Sequence, residues 1–168
     1  MDLCHFKRIA IVGRPGSGKS TFAIQLAQTL DIPVFHVDKI FFTDHWIERK
    51  KEDFLRLHTE WIKQPTWIID GNALNSSLGD RYASADCVIA FIPSKWLCLW
   101  RVIKRRFSKT NPSIDDRAPN CPERVSWKLV TYLWTYENRL HPLLQHLNQS
   151  YPDVTLITVT SDESVKQN

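Results

Sequence analysis

Apolar positions along the chain follow two patterns that take turns. Short continuous apolar runs at 9–12, 32–38 (IPVFHVD), 66–70 (TWIID), 87–92 (CVIAFI) and 154–159 (VTLITV) read as strands buried on both faces. Between them the period changes. Ala23, Leu26, Ala27 and Leu30 recur at i, i+3, i+4 and i+7, and Phe54, Leu57, His58 and Trp61 mark one face of a second helix at 52–64. A short helix or turn is expected before the fourth strand. Pro93 and Ser94, with Ser94 as N-cap, open a helix through about Phe107. Pro122 and Glu123 start a long helix that reaches Leu140, where Pro142 kinks or interrupts it. Strands alternating with helices predict an α/β fold, a five-stranded parallel sheet covered on both faces. The 168 residues suit one domain with one sizeable core.

One stretch breaks the alternation. Residues 108–122, SKTNPSIDDRAPNCP, are poor in apolar side chains and rich in Pro, Asn, Ser and Asp. A loop this long inside a compact domain is usually functional.

The first strand runs into Gly13-Arg14-Pro15-Gly16-Ser17-Gly18-Lys19-Ser20-Thr21, which satisfies G-x-x-x-x-G-K-[ST] between a strand and a helix. Glycines at 13, 16 and 18 let backbone N–H groups turn inward around phosphate oxygens at a helix N-terminus. In this pattern Lys19 bridges the outer phosphates and the Ser20 hydroxyl binds Mg²⁺, so ATP and Mg²⁺ are the expected ligands, with Ser17 and Thr21 completing the cradle.

Ligands of an open α/β sheet sit at the carboxyl ends of its strands. Asp38 ends the second expected strand and Asp70 the third, so both face the crevice that holds the phosphate loop. Asp70 is assigned to the Mg²⁺ shell and Asp38 to acceptor binding or base catalysis. Phe41, Phe42 and Trp46 follow Asp38 and can wall a pocket for the acceptor. Trp127, Tyr132, Trp134 and Tyr136 crowd the long helix, and most of the aromatic residues are expected in the core. Arg101 and Arg105, four apart on one helix face, can bring positive charge over a transferring phosphoryl group, with Arg106 turned about 100° away. Arg117 in the polar loop and Arg124 after it make that loop a candidate lid. The histidines show no paired metal spacing and read as structural or surface residues.

Composition adds little beyond this. With 43% apolar and 24% charged residues the chain is ordinary for a globular protein, and a net charge of +4 does not by itself call for nucleic acid. The four cysteines lie far apart, without a CxxC pair, which predicts free thiols rather than disulfides or zinc and fits a reducing cytoplasm. No apolar run approaches the ~20 residues of a membrane span, and no membrane partner is expected.

The segments GRPGSGKST, VDKIFF, WIIDGN, CLWRVIKRR and NCPERVSWKLVTYLW resemble the DNA topology modulation (FlaR-like) proteins, P-loop kinase-like members of the adenylate kinase group. The resemblance spans about residues 7–140. It implies a five-stranded P-loop NTPase fold, an ATP site at 13–20 and a short lid after the arginine helix. Nucleoside monophosphate kinases often read Asp-Gly-Phe-Pro-Arg at the third strand end. Here Asp70-Gly71-Asn72-Ala73-Leu74 stands instead, which leaves Asn72 and Arg81 as candidate acceptor contacts. The lid stretch KTNPSIDD likewise lacks the arginine often found before its proline.

The leading expectation is ATP-dependent phosphoryl transfer to a small molecule, such as a nucleotide. A nucleotide-binding regulator acting on DNA, suggested by the basic stretch 101–109, is the alternative. Simple ATP hydrolysis used as a timer is a third. Oligomeric state stays open.

Overall fold

The computed structural model describes residues 3–107, 118–121 and 125–160. Five strands, β1 (Arg8–Gly13), β2 (Val34–His36), β3 (Trp67–Asp70), β4 (Cys87–Phe91) and β5 (Thr155–Val159), form one parallel sheet in the order β2-β3-β1-β4-β5. Among the described residues, six helices connect and cover it: α1 (Lys19–Leu30), α2 (Val37–Phe41), α3 (Lys51–Ile62), α4 (Leu78–Ser84), α5 (Lys95–Phe107) and α6 (Trp127–Ser150). The three central strands are apolar on both faces because both faces are covered. Ala10, Val12, Trp67, Ile69, Val88 and Ala90 pack against Phe54, Tyr82, Tyr136 and Leu140 on one side. Ile9, Ile11, Ile68, Cys87 and Ile89 pack against Ala23, Leu26 and Ala27 of α1 on the other. A small third cluster, Cys98, Val102 and Leu133, joins α5 to α6.

The end of the sheet remote from the phosphate loop is fixed by Asp86. Its carboxylate accepts from the N–H groups of Lys7 and Arg8 and from the Arg8 guanidinium at 2.6 Å. Burial opposes its ionisation, and these bonds, the Arg8 guanidinium foremost, outweigh that and hold its carboxyl below the ordinary range.

Three expectations need correction. Asp38 lies past the end of β2, in the first turn of the five-residue α2. The long helix begins at Trp127, where the Ser126 hydroxyl accepts from the Leu129 N–H, and it runs through Pro142 to Ser150. A proline removes one hydrogen bond from the ladder, and burial of Leu140, Leu144 and Leu147 on both sides of it carries the helix on. Trp127 and Trp134 are exposed, whereas Tyr136 is buried and Tyr132 half-buried. Of the candidate lid at 108–122, residues 108–117, with Arg117, lie outside the described residues, as do Pro122, Glu123 and Arg124. The cysteines are free thiols, buried at 87, 98 and 121 and exposed at 4.

Candidate functional site

The loop between β1 and α1 is wedged against α5. Gly16 has φ +80°, and a Cβ there would stand 2.5 Å from the Cys98 carbonyl oxygen. No other residue fits both the backbone angle and the gap. Arg14, buried, ties the loop to its surroundings: its guanidinium donates to the Pro93 carbonyl at 2.5 Å and to Glu137 of α6 at 2.7 Å. Three loop N–H groups are used internally, Gly13 to Asn72 Oδ1, Arg14 to Phe91 O and Ser17 to Arg14 O. Those of Gly16, Gly18 and Ser20 have no acceptor among the described residues. These free donors at the start of α1 form a cradle suited to an anion. Thr21 is exposed in the first turn of α1, and the Ser17 hydroxyl is buried without a hydrogen-bond partner.

Beside this cradle lies a buried carboxylate. Asp70 Oδ1 is 3.5 Å from Lys19 Nζ, and its Oδ2 is 2.9 Å from His36 Nδ1, which donates to it. Lys19 Nζ is also 3.3 Å from Ser20 Oγ. Burial pushes the Asp70 carboxyl up. The Lys19 charge, His36 and a bond from Ser20 together outweigh burial and hold it below its ordinary value. Asp70 is therefore an anion at neutral pH. Its Oδ1 has no hydrogen-bond partner, and with the Ser20 hydroxyl it supplies hard oxygen donors of the kind that Mg²⁺ prefers.

His36 was not visible as a site residue in the sequence. The register of β2 on β3 puts His36 directly opposite Asp70. Two residues ending neighbouring strands become a pair only once the strand order is known.

Across the crevice, Asp38, Phe41, Phe42 and Trp46 are half-buried. Phe41 meets Phe42 and Phe54 edge-on, and Phe42 meets Trp46 the same way. The Cys121 thiol accepts from the Trp46 N–H at 3.2 Å and donates to the Thr43 carbonyl at 3.4 Å. The segment 118–121 thus rests on the turn that carries the aromatic wall. Tyr132 faces this region: burial pushes its hydroxyl up to about 12, and the Asp38 charge acts in the same direction.

Asn72 and Arg81 serve the framework. Asn72 Oδ1 accepts from the Gly13 N–H at 3.1 Å and from the Tyr136 hydroxyl at 2.7 Å, linking loop, β3 and α6. Arg81 is fully buried, and its guanidinium donates to the carbonyls of Gly71 (2.7 Å) and Asn72. Burial lowers it to about 10, with the Asp70 and Asp38 charges acting the other way. These bonds tie it to the end of β3. Gly71, at φ +140°, lets this strand end close on α2, since a Cβ would stand 2.5 Å from Val37 Cβ. Of the arginines on α5, Arg101 reaches the loop, with Nη1 3.5 Å from the Ser17 carbonyl, and Arg105 is half-buried on the same face.

No family model and no curated protein matches the chain. Among solved structures it is similar to shikimate kinase from Acinetobacter baumannii in complex with shikimate. The TM-score is 0.54 at 17% identity, over 94% of this chain and 85% of that one. The likeness is one of fold: a five-stranded parallel sheet with helices, the architecture of a P-loop NTPase. The narrower resemblance to the DNA topology modulation proteins rests on the sequence segments quoted above.

Proposed function

We propose that the chain is a single-domain ATP-dependent kinase that phosphorylates a small hydroxylated molecule, with nucleotides among the candidates. The observation that carries this reading is the convergence of two things at one end of the sheet. Unused amide donors, Lys19 and an ionised buried Asp70 stand on one side of a crevice. Just past the end of β2, the half-buried Asp38 is followed by the ring cluster of Phe41, Phe42 and Trp46. The neighbouring shikimate kinase structure supports the class, since that protein is a kinase of the same fold.

In this reading the cradle amides of 16–20 and Lys19 hold the triphosphate, and Arg101 adds charge above the loop. Ser20 and Asp70 would hold Mg²⁺, which supplies charge neutralisation to the phosphates when bound. His36 fixes Asp70 in orientation and keeps it ionised. Asp38 holds the acceptor hydroxyl and takes its proton as the new O–P bond forms and the bond to the departing diphosphate breaks. Phe41 and Trp46 wall the acceptor, while Arg105 and Arg117 are held as further charge donors. Arg101, turned to the loop, belongs to phosphate chemistry more naturally than to a DNA-binding face.

The test is a screen of nucleotides and small polyols or hydroxy acids with Mg-ATP, reading product phosphate by mass. Acceptor-dependent transfer that disappears in Lys19→Ala is expected. Transfer no greater than that of the variant across the panel, in protein that still binds ATP, would overturn the kinase reading in favour of a nucleotide-binding regulator.

A further inference from the structure

Helix α5 is apolar on two sides. Its inner side, Cys98 and Val102, packs on Leu133 of α6. Its outer side carries Trp96, Trp100, Ile103 and Phe107, which are 64, 56, 40 and 77% exposed. At 100° per residue these four fall within an arc of about 60°, roughly opposite the buried pair. A surface helix ordinarily turns its polar residues outward there. Trp134 of α6 extends the stripe, its ring meeting Trp96 edge-on at 4.9 Å, and Trp127 lies on the same face of α6. Four large exposed apolar side chains in one line, joined by an exposed tryptophan from the next helix, form a contiguous patch of the kind that marks an interaction site.

Charge indicates what it meets. The thirteen residues of α5 include Lys95, Arg101, Lys104, Arg105 and Arg106 and no carboxylate. Lys104 Nζ lies 4.8 Å over the Trp100 ring and Lys95 Nζ 4.1 Å over the Trp134 ring. Trp96 and Trp134 also border an open depression of about 470 Å³ that includes Arg14 and Lys95.

We propose that this face docks on an anionic lipid surface, with α5 lying in the headgroup plane. Indole and phenyl rings would enter the interface while Lys95, Lys104 and Arg106 reach phosphates beside them. A second copy of the chain fits less well, because apposing two carboxylate-free basic helices brings like charges together. Single-stranded nucleic acid fits less well too: ammonium groups already occupy a face of Trp100 and of Trp134, and Ile103 offers no ring to a base. Among the described residues no helix is long and apolar enough to cross a membrane, so the contact is peripheral.

Co-sedimentation of the intact chain with mixed phosphatidylglycerol–phosphatidylcholine vesicles tests this, with pure phosphatidylcholine vesicles as reference. Partition into the mixed vesicles alone, weakened by salt, is expected. Trp100→Ser with Phe107→Ser should reduce it by about tenfold or more. Lys104→Glu with Arg106→Glu should reduce it by roughly 25-fold or more, at about fivefold per charge. All four side chains are exposed, and thermal melts check that the fold is kept. Absence of partition at low salt would overturn the proposal, as would unchanged partition in both double variants. So would a dimer in sedimentation velocity, or oligothymidylate binding in anisotropy, that Trp100→Ser with Phe107→Ser abolishes while vesicles show nothing.

Discussion

On the phosphate-loop side of the crevice, Asp70 is buried and held by Lys19, His36 and Ser20, and the loop is pinned through Arg14 to two further elements. On the opposite side, Asp38, Phe41, Phe42 and Trp46 are half-buried and held by ring edges and the Cys121 thiol. The first side is assembled from strand ends and a helix start, which the sheet positions rigidly. The second is carried by a five-residue helix and a short 3₁₀ turn, where His45 and Trp46 both adopt positive φ. In the proposed reading, a preset donor site beside a less constrained acceptor wall would let binding of the second substrate complete the site. In the kinase reading, selectivity would rest with 38–46.

The sharpest way to break this comparison is to remove its generic half. Lys19→Ala should lower phosphoryl transfer by about 10³-fold or more, since the charge it supplies acts on the transferring group. Lys19 is also the charge that most offsets burial of Asp70, so the melting temperature should fall too, and rates are read on protein that remains folded. Single-turnover rates with saturating ATP check this. A fall confined to ATP affinity would show that Lys19 binds without assisting transfer.

Next in size is the strut that joins the two halves. Arg81→Met leaves the carbonyls of Gly71 and Asn72 without their donor and removes a buried charge facing Asp70 and Asp38. A loss of about 3 kcal/mol is expected, which for a chain of this size lowers Tm by roughly 6–12 °C. Denaturant unfolding checks it. If Arg81 instead gripped an acceptor, the variant would keep its stability and lose acceptor affinity.

Asp38→Asn separates the halves at smaller cost. Transfer should fall about 100-fold while ATP binding is unchanged, because in the proposed reading the residue serves only the acceptor. Titration with an ATP analogue beside steady-state rates reads both. Weakened nucleotide binding would place Asp38 on the donor side.

The two halves were also unequally legible. The phosphate loop could be read because its chemistry is contiguous: a strand, glycines, Lys19 and Ser20 in one run. The same locality made the alternation of strands and helices readable, and it placed Asp70 at a strand end. Pairing across the sheet was hidden. His36 meets Asp70 only because β2 lies beside β3, and no residue in either strand announces its neighbour. Pro142 misled by a local rule that tertiary packing overrides, since Leu140, Leu144 and Leu147 hold the helix together around it. Trp127 and Trp134 misled in the opposite sense: aromatic spacing suggested core where the fold leaves them exposed. The burial of Arg81 was hidden as well, because sequence shows charge but not burial.

Acidification sharpens the comparison most finely, because a different group responds on each side. His58, beneath Phe54 on the acceptor side, is fully buried with neither ring nitrogen hydrogen-bonded. Burial, with the Arg81 charge beside it, lowers it from 6.5 to about 4. The unfolded chain therefore binds the proton first, and stability falls as pH drops from about 6.5 towards 4. At pH 5.5 the loss relative to neutral pH is about 1.4 kcal/mol, or roughly 3–5 °C in Tm. Asp70 responds in the same direction but at lower pH. Its folded value lies below the ordinary carboxylate range, so its contribution persists through this window and is lost only as pH falls further. His58→Leu should leave stability near neutral pH almost unchanged, since it removes two unsatisfied nitrogens, and should flatten the slope between pH 6.5 and 5. Melting curves at half-unit pH steps read the slope. Hydrogen exchange at pH 5.5 should then show α3 and the 38–46 region opening before the strand ends around Asp70. An unchanged slope in the variant would move the acid-sensitive group away from the acceptor side.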